Sequence, residues 1–281
     1  MAFSVNTNAS ALGALQQLTL TTRGLNETQE RVNTGLEVRS AKDNAAVFAI
    51  AQNLRADFEG LQAVKQSIDR SISAIDIALA AAESLGDILL EMKERVVSAA
   101  DEGLDQASRD SIRLDFEELR DQINIIVSNA EFNGTNLIDS GTDRVVAITN
   151  PDATQTITIN HQDLTLGSGT SQGAILLFGA ASTFSTSAQA LSLVSSIDNS
   201  IANLSTALTE LGAGASALER QRTFTERLSD TVETGIGNLV DADLARESAQ
   251  LQSLQVKQQL GVQALSIANS QPQTILQLFG G

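Results

Sequence analysis

The sequence predicts a mainly α protein, a long antiparallel helical, coiled-coil rod with a small β-hairpin insert and with its terminal helices paired as an inner coiled coil. Three observations predict it. Asp57 to Ala100 and Leu191 to Leu218 repeat apolar residues every seven positions, the signature of one seam along a long helix. From Asn133-Gly134 the period is lost and short alternating runs appear. Residues 1–22 carry no ionisable side chain and residues 248–281 carry one, Lys257, in a chain of formal charge -16. Both ends are therefore built to be buried, yet each reads as an amphipathic helix that is marginal alone because nucleation is costly. They must meet each other or other subunits.

Taken in order, Val5, Leu12, Leu15, Leu18, Leu25 and Val32 give the N-terminal helix an apolar face. In the first long helix Leu61, Ile68, Ile75, Ala82, Leu89 and Val96 form one seven-spaced set, with Val64, Ala78, Leu85, Met92 and Ala99 interleaved. Asp101-Glu102-Gly103 breaks it, Asp105 or Ser108 can cap the next helix, and Ile112, Phe116, Leu119, Ile123, Ile126 and Ala130 supply a second seam. The short link implies an antiparallel neighbour. After Asn133-Gly134, Val145 to Ile148 and the alternating Thr156 to Ile159 flank Asn150-Pro151-Asp152, a hairpin signal. Gly167 to Thr186 reads as an exposed Gly/Ser/Thr-rich loop. Val194, Ile201, Leu208 and Ala215, with Ile197, Leu204, Leu211 and Leu218, repeat the seam, so this helix can pack on the first long one.

The C-terminal helix sorts into stripes. Leu244, Leu251, Leu254, Val262 and Leu265 form one apolar face; Val256, Leu260 and Ile267 lie nearly opposite. Gln252, Gln255, Gln259, Gln263, Ser266 and Ser270 make a narrow polar row without charge. A buried amide costs free energy unless hydrogen-bonded, so a continuous row of them suits a wetted lining. A helix with two apolar faces implies two or more partners. The predicted division is 1–40 inner helical, 41–138 outer rod, 139–185 hairpin and loop, 186–238 outer rod, and 239–281 inner helical.

Composition excludes several functions. The aromatic residues are nine Phe, so the core is expected to be Leu, Ile, Val and Ala. Acidic residues outnumber basic ones 34 to 18, which disfavours nucleic acid and anionic membranes as partners. No cysteine means no disulfide and no thiolate chemistry, and a lone His161 makes no metal-ligand set. Neither H-E-x-x-H, G-x-S-x-G nor a phosphate loop ending in G-K-[ST] occurs, so no enzyme and no cofactor is expected. The start lacks a secretory pattern, and no run of about 18 apolar residues could span a bilayer. The charges between Arg23 and Glu247 read mostly as a solvated face, with Arg31, Arg39, Lys42, Asp43 and Asp57 as candidates for contacts between subunits. Ser182, Thr183, Ser185, Thr186 and Ser187 could accept O-linked glycans.

Three stretches carry a family resemblance. Val5-Asn6-Thr7-Asn8 is followed by Arg31-Val32-Asn33-Thr34-Gly35-Leu36 and Ser40-Ala41-Lys42-Asp43-Asn44-Ala45-Ala46; Glu131-Phe132-Asn133-Gly134 marks a turn; and Asp241-Ala242-Asp243-Leu244-Ala245-Arg246-Glu247 precedes the glutamine-rich helix and Asn269-Ser270-Gln271-Pro272-Gln273. Together they resemble bacterial flagellin, over residues 1–138 and 186–281. The resemblance implies a subunit secreted unfolded through the flagellar type III channel that self-assembles into a hollow filament for motility. The terminal helices would line the channel, Gly35 to Asp57 would connect the inner and outer layers, and Asp230 to Asp241 would be the return partner. An export chaperone masking the C-terminal helix, and hook-associated junction and cap proteins, are the implied partners. Where flagellins sensed by the animal innate receptor carry L-x-R-V-R-E-L, this chain has Leu89-Leu90-Glu91-Met92-Lys93-Glu94-Arg95, so weak receptor activation is expected. A hook-filament junction protein of the same superfamily and a secreted adhesin are the alternatives, the latter lacking any Trp or Tyr platform. A membrane-active helix is disfavoured by the scarcity of Lys and Arg on the polar row.

Overall fold

The computed structural model describes residues 8–167 and 175–279, the stretch from 271 onward as backbone alone. The elements are α1 (Ala9–Thr34), α2 (Ala45–Ala99), α3 (Gln106–Asn129), β1 (Glu131–Phe132), β2 (Thr135–Asn136), β3 (Arg144–Ile148), β4 (Thr156–Asn160), α4 (Ser187–Val240) and α5 (Leu244–Phe279). The protein is mainly α, and the expected hairpin is β3–β4. Helix α2 begins at Ala45 rather than near Asp57, because Asn44 caps it by accepting the Val47 N–H at 3.2 Å. Two compact units form, one from residues up to 56 with those from 231, the other from 57–230.

In the 57–230 unit, both seven-spaced sets of α2 are buried, as are Ile197, Leu204, Leu211 and Leu218 of α4. Ion pairs Lys65–Glu226 (3.2 Å), Asp69–Arg222 (2.9 Å) and Lys93–Asp198 (2.6 Å) advance along α2 while retreating along α4, which sets the two antiparallel. Asp105, not Ser108, caps α3, its Oδ1 accepting the Ser108 N–H at 2.9 Å. Arg109 is buried and donates to the carbonyl of Ala99, the last residue of α2, and to those of Asp101 and Leu104 in the link to α3.

Two expectations are corrected here. The Gly167 to Thr186 stretch is not uniformly exposed: Leu176, Phe178 and Phe184 are buried, and 168–174 lie outside the described residues. The core is not purely aliphatic either, because Phe116 packs against Phe184 and Phe178 with ring centroids 5.6 and 6.4 Å apart. The Ser and Thr between these anchors masked them in the sequence.

The small hairpins obey turn chemistry. Asn133 and Gly134, with φ of 52° and 81°, connect β1 to β2 in the left-handed region that a two-residue hairpin of this twist requires. Strands β3 and β4 pair from Arg144↔Asn160 to Ile148↔Thr156. Val145, Ala147 and Ile159 face the core, while Val146, Thr156 and Thr158 face out.

A candidate assembly surface built from the two ends of the chain

Helices α1 and α5 pair antiparallel. Asn8 caps α1 through the Ala11 N–H at 3.0 Å and donates to the Ala268 carbonyl at 2.7 Å; at the other end Arg31 reaches Glu247 at 3.3 Å. Between these ends Ala11, Ala14, Leu18, Thr21, Leu25, Thr28 and Val32, all buried or half-buried, run along α1 at alternating spacings of three and four, with Thr22 and Gly24 half-buried beside them. On α5 the buried or half-buried positions are Glu247, Leu251, Leu254, Gln258, Gly261, Leu265 and Ala268. The seam is thin: a Cβ added at Gly261 would lie 3.2 Å from Leu18, and one at Gly24 would lie 3.8 Å from Leu254. Small and polar residues in alternate layers let the backbones approach closely but bury little apolar area per layer.

The remainder of the apolar surface stays uncovered. Of the predicted apolar face of α1, Leu18, Leu25 and Val32 turn toward the seam, Leu12 and Leu15 are exposed, and Val5 lies outside the described residues. The five-residue face read on α5 divides: Leu251, Leu254 and Leu265 are half-buried at the seam, while Leu244 and Val262 are exposed. Val256, Leu260 and Ile267 are exposed as well. The polar row of Gln252, Gln255, Gln259, Gln263, Ser266 and Ser270 is exposed throughout, and Gln258, which the sequence reading passed over, sits half-buried in the seam. Only its place in the alternating three-and-four spacing could have found it.

The segment after α1 is held by main-chain bonds. Gly35, φ 72°, ends α1 and gives its N–H to the Arg31 carbonyl at 2.8 Å. The Glu37 and Val38 N–H groups donate to Val240 O at 2.7 and 3.2 Å, and Ala242 N–H returns to Gly35 O at 2.8 Å. Val38, Ala51 and Val240 form a small core with Leu36, Val47, Phe48 and Ile236 around it. Arg39 binds Glu30 and Asp43, which raises its own pKa above the usual guanidinium value. The Arg39 hydrogen bond holds Asp43 below the usual carboxylate range, and the Arg39 N–H at 3.1 Å and the Ser40 hydroxyl at 3.2 Å add to this. Arg31 also pairs with Glu27 at 2.9 Å. Lys42 and Asp57 are exposed.

The hydroxyls read as glycan acceptors differ in freedom. Thr183 donates to Glu117 at 2.8 Å, Ser182 accepts from the Gly179 N–H, and Thr186 accepts the Gln189 N–H at 3.3 Å at the start of α4. Ser185 is exposed and Ser187 half-buried. Glu117 is held below the usual carboxylate range by the Thr183 hydroxyl first and by Arg113 second. Among the described residues no helix is long and apolar enough to cross a membrane.

Comparison with known proteins agrees with this geometry. Residues 5–142 match the bacterial flagellin N-terminal helical region and residues 194–279 the bacterial flagellin C-terminal helical region. Flagellin FljM of Caulobacter vibrioides is 45% identical over 276 residues, covering 98% of each chain. A flagellin of Brucella melitensis is 36% identical over 284 residues, covering 99% of each. The solved structure of a putative flagellar hook-associated protein from Vibrio parahaemolyticus aligns with a TM-score of 0.59 at 17% identity, over 71% of this chain and 100% of that one, and shares the fold.

Two ends that pair as helices and leave apolar faces uncovered are what a subunit of a polymer would present to its neighbours. This chain belongs to the bacterial flagellin family. It is a structural subunit of the flagellar filament, exported through the flagellar channel and located in the extracellular filament that drives motility. The junction-protein and adhesin alternatives are not favoured.

Proposed function

We propose that the filament is held together by the uncovered faces of the α1/α5 pair. Leu12, Leu15, Leu244, Val256, Leu260, Val262 and Ile267 would be buried against neighbouring copies, while Leu18, Leu25, Val32, Leu251, Leu254 and Leu265 hold the pair itself. The observation that carries this reading is exposure: Leu12 is 62%, Leu260 58% and Ile267 65% exposed, in the end stretches 1–22 and 248–281 whose one ionisable side chain is Lys257. Burial of one such side chain contributes about 1.5–3 kcal/mol before ordering costs.

At about 100° per residue, the glutamine and serine row of α5 lies between two apolar edges, Leu244 with Val262 on one side and Val256, Leu260 and Ile267 on the other. Neighbours covering both edges would leave the row facing the water of the central channel. Arg31, Arg39, Lys42, Asp43 and Asp57 are assigned to charged contacts within and between subunits. The five-part division into inner ends, outer helices and hairpin follows the same layering, and Ser185 is the freest of the candidate glycan acceptors.

The same exposed faces need cover before assembly, which an export chaperone on the C-terminal helix would supply; junction and cap proteins of the hook-associated class would meet the filament's ends through them. The chain has no catalytic role. Glu91, exposed and 3.4 Å from Arg95, places an acid where a receptor-sensed flagellin carries arginine, so innate-receptor activation is weak. A reporter-cell response equal to that of an agonist flagellin would refute that point. Electron microscopy of seeded protein, intact and lacking 1–35 and 240–281, tests the main reading: filaments from the intact chain alone are expected, and filaments from the trimmed chain would move the contact elsewhere.

A further inference from the structure

With 34 acidic side chains against 18 basic ones, a cation that meets no acid in its own unit stands out. Within 57–230, Arg222 is engaged by Asp69 and Glu226, Lys93 by Asp198, and Arg113 by Glu117. Arg70 and Arg144 form no ion pair among the described residues, and both line one cleft of about 170 Å³ between α2, the β1–β2 turn and β3. That is more than ten times the ~10–15 Å³ a single water needs. No acidic side chain lines the cleft.

Its floor is polar and built. Ser67 and Ser71 are buried there, and the Ser67 hydroxyl accepts the Ile148 N–H at 3.2 Å. The Thr149 N–H bonds to Gln155 O across the hairpin, so the Ile148 N–H points away from β4. In an antiparallel ladder this direction alternates, which sends the Val146 N–H out on the same side as that of Ile148, and Val146 lines the cleft. Two guanidinium groups and a main-chain N–H on one cleft make a donor set for a carboxylate.

We propose that this cleft takes the carboxylate of an acidic side chain on a second copy of the chain, an inference that rests on the filament reading. Copies of formal charge -16 brought side by side repel one another unless cations of one face acids of the next. Arg70 and Arg144 are cations that internal pairing has left over, and no acidic side chain of their own chain lines the cleft with them.

The test compares seeded polymerisation of the full chain, wild type against R70E/R144E, at low and high salt. Both arginines are exposed, and equal melting temperatures of the two monomers establish that the fold is kept. A critical concentration raised by about threefold to tenfold at low salt, with the difference shrinking at high salt, is expected for two exposed charge contacts. In R70K/R144K filaments mixed from isotope-labelled and unlabelled copies, carbodiimide should join position 70 or 144 to an Asp or Glu of another copy. An unchanged critical concentration, or cross-links only within a copy, overturns the proposal. So does inorganic phosphate bound by the monomer through these arginines with polymerisation indifferent to them, which would make this a small-anion site. Absence of wild-type filaments removes the filament reading and this one with it; filaments indifferent to the arginines remove only this one.

Discussion

At the scale of single residues, the side chains with most consequence are polar groups that complete unfinished backbone. Arg109 binds three carbonyls between the end of α2 and the start of α3, a task no sequence pattern announced because an arginine in a first helical turn reads as solvent-exposed. Replacing it by Met should lower stability by about 1.5–3 kcal/mol, measured by denaturant unfolding, since charged hydrogen bonds are lost and buried carbonyls orphaned. A wild-type-like midpoint would show that water takes over the role. The carboxylates add a pH dependence. Glu117, Asp43 and Asp105 have folded-state pKa values lowered by hydrogen bonds, so their contribution is complete above the ordinary range near ~4 and is lost as pH falls through the lower folded values. The melting temperature of wild type should therefore drop more steeply below about pH 4 than that of Glu117→Gln, whose side chain keeps its shape without the charge. Parallel curves would remove Glu117 from the account.

At the scale of elements, the heptad sets of α2 and α4 were legible because burial demands them at regular spacing: every member of both α2 sets is buried. The β3–β4 pair was legible from alternation, and the loop that joins them is tied at its base by the Thr149 N–H to Gln155 O and the Gln155 N–H to Asn150 Oδ1. The starts and seams of α1 and α5 were read only in part. Thr, Gly, Gln and Ala in the seam give a weak apolar period, and the large apolar residues stand partly outside it, so a reading that follows Leu and Val alone tilts the stripe away from the true contact. The buried Phe178 and Phe184 were missed for the opposite reason, as isolated anchors in a polar run with no period at all. Two glycines offer a controlled comparison on these helices. A Cβ at Gly60 would meet Pro151 Cβ at 2.7 Å, whereas one at Gly212 meets nothing within 4 Å. Gly212→Ala should stabilise by up to about 1 kcal/mol through helix propensity, and Gly60→Ala should not, because overpacking against the rigid ring offsets that gain. Equal gains in thermal unfolding would mean that the turn carrying Pro151 gives way freely.

At the scale of the whole molecule, the 57–230 unit closes a large core of its own, with Leu114, Ile125, Leu191 and Phe224 left exposed outside it, while the paired ends bury little between them and leave most of their large apolar side chains uncovered. Assembly behaviour should follow that division. Substituting Leu260 and Ile267 together by Ser should leave the melting of the 57–230 unit unchanged and raise the critical concentration for seeded growth at least tenfold, each buried side chain being worth about 1.5–3 kcal/mol. Growth at the wild-type critical concentration would show that these side chains stay exposed in the polymer.

Asn8 bonds to Ala268, 260 residues away, so whichever end is freed first, α1 and α5 must wait for each other before they can pair. Closure over such a distance cannot begin on a partial chain. The pairing of the two ends thus works as a length check: a fragment lacking α5 leaves α1 without the helix it packs against.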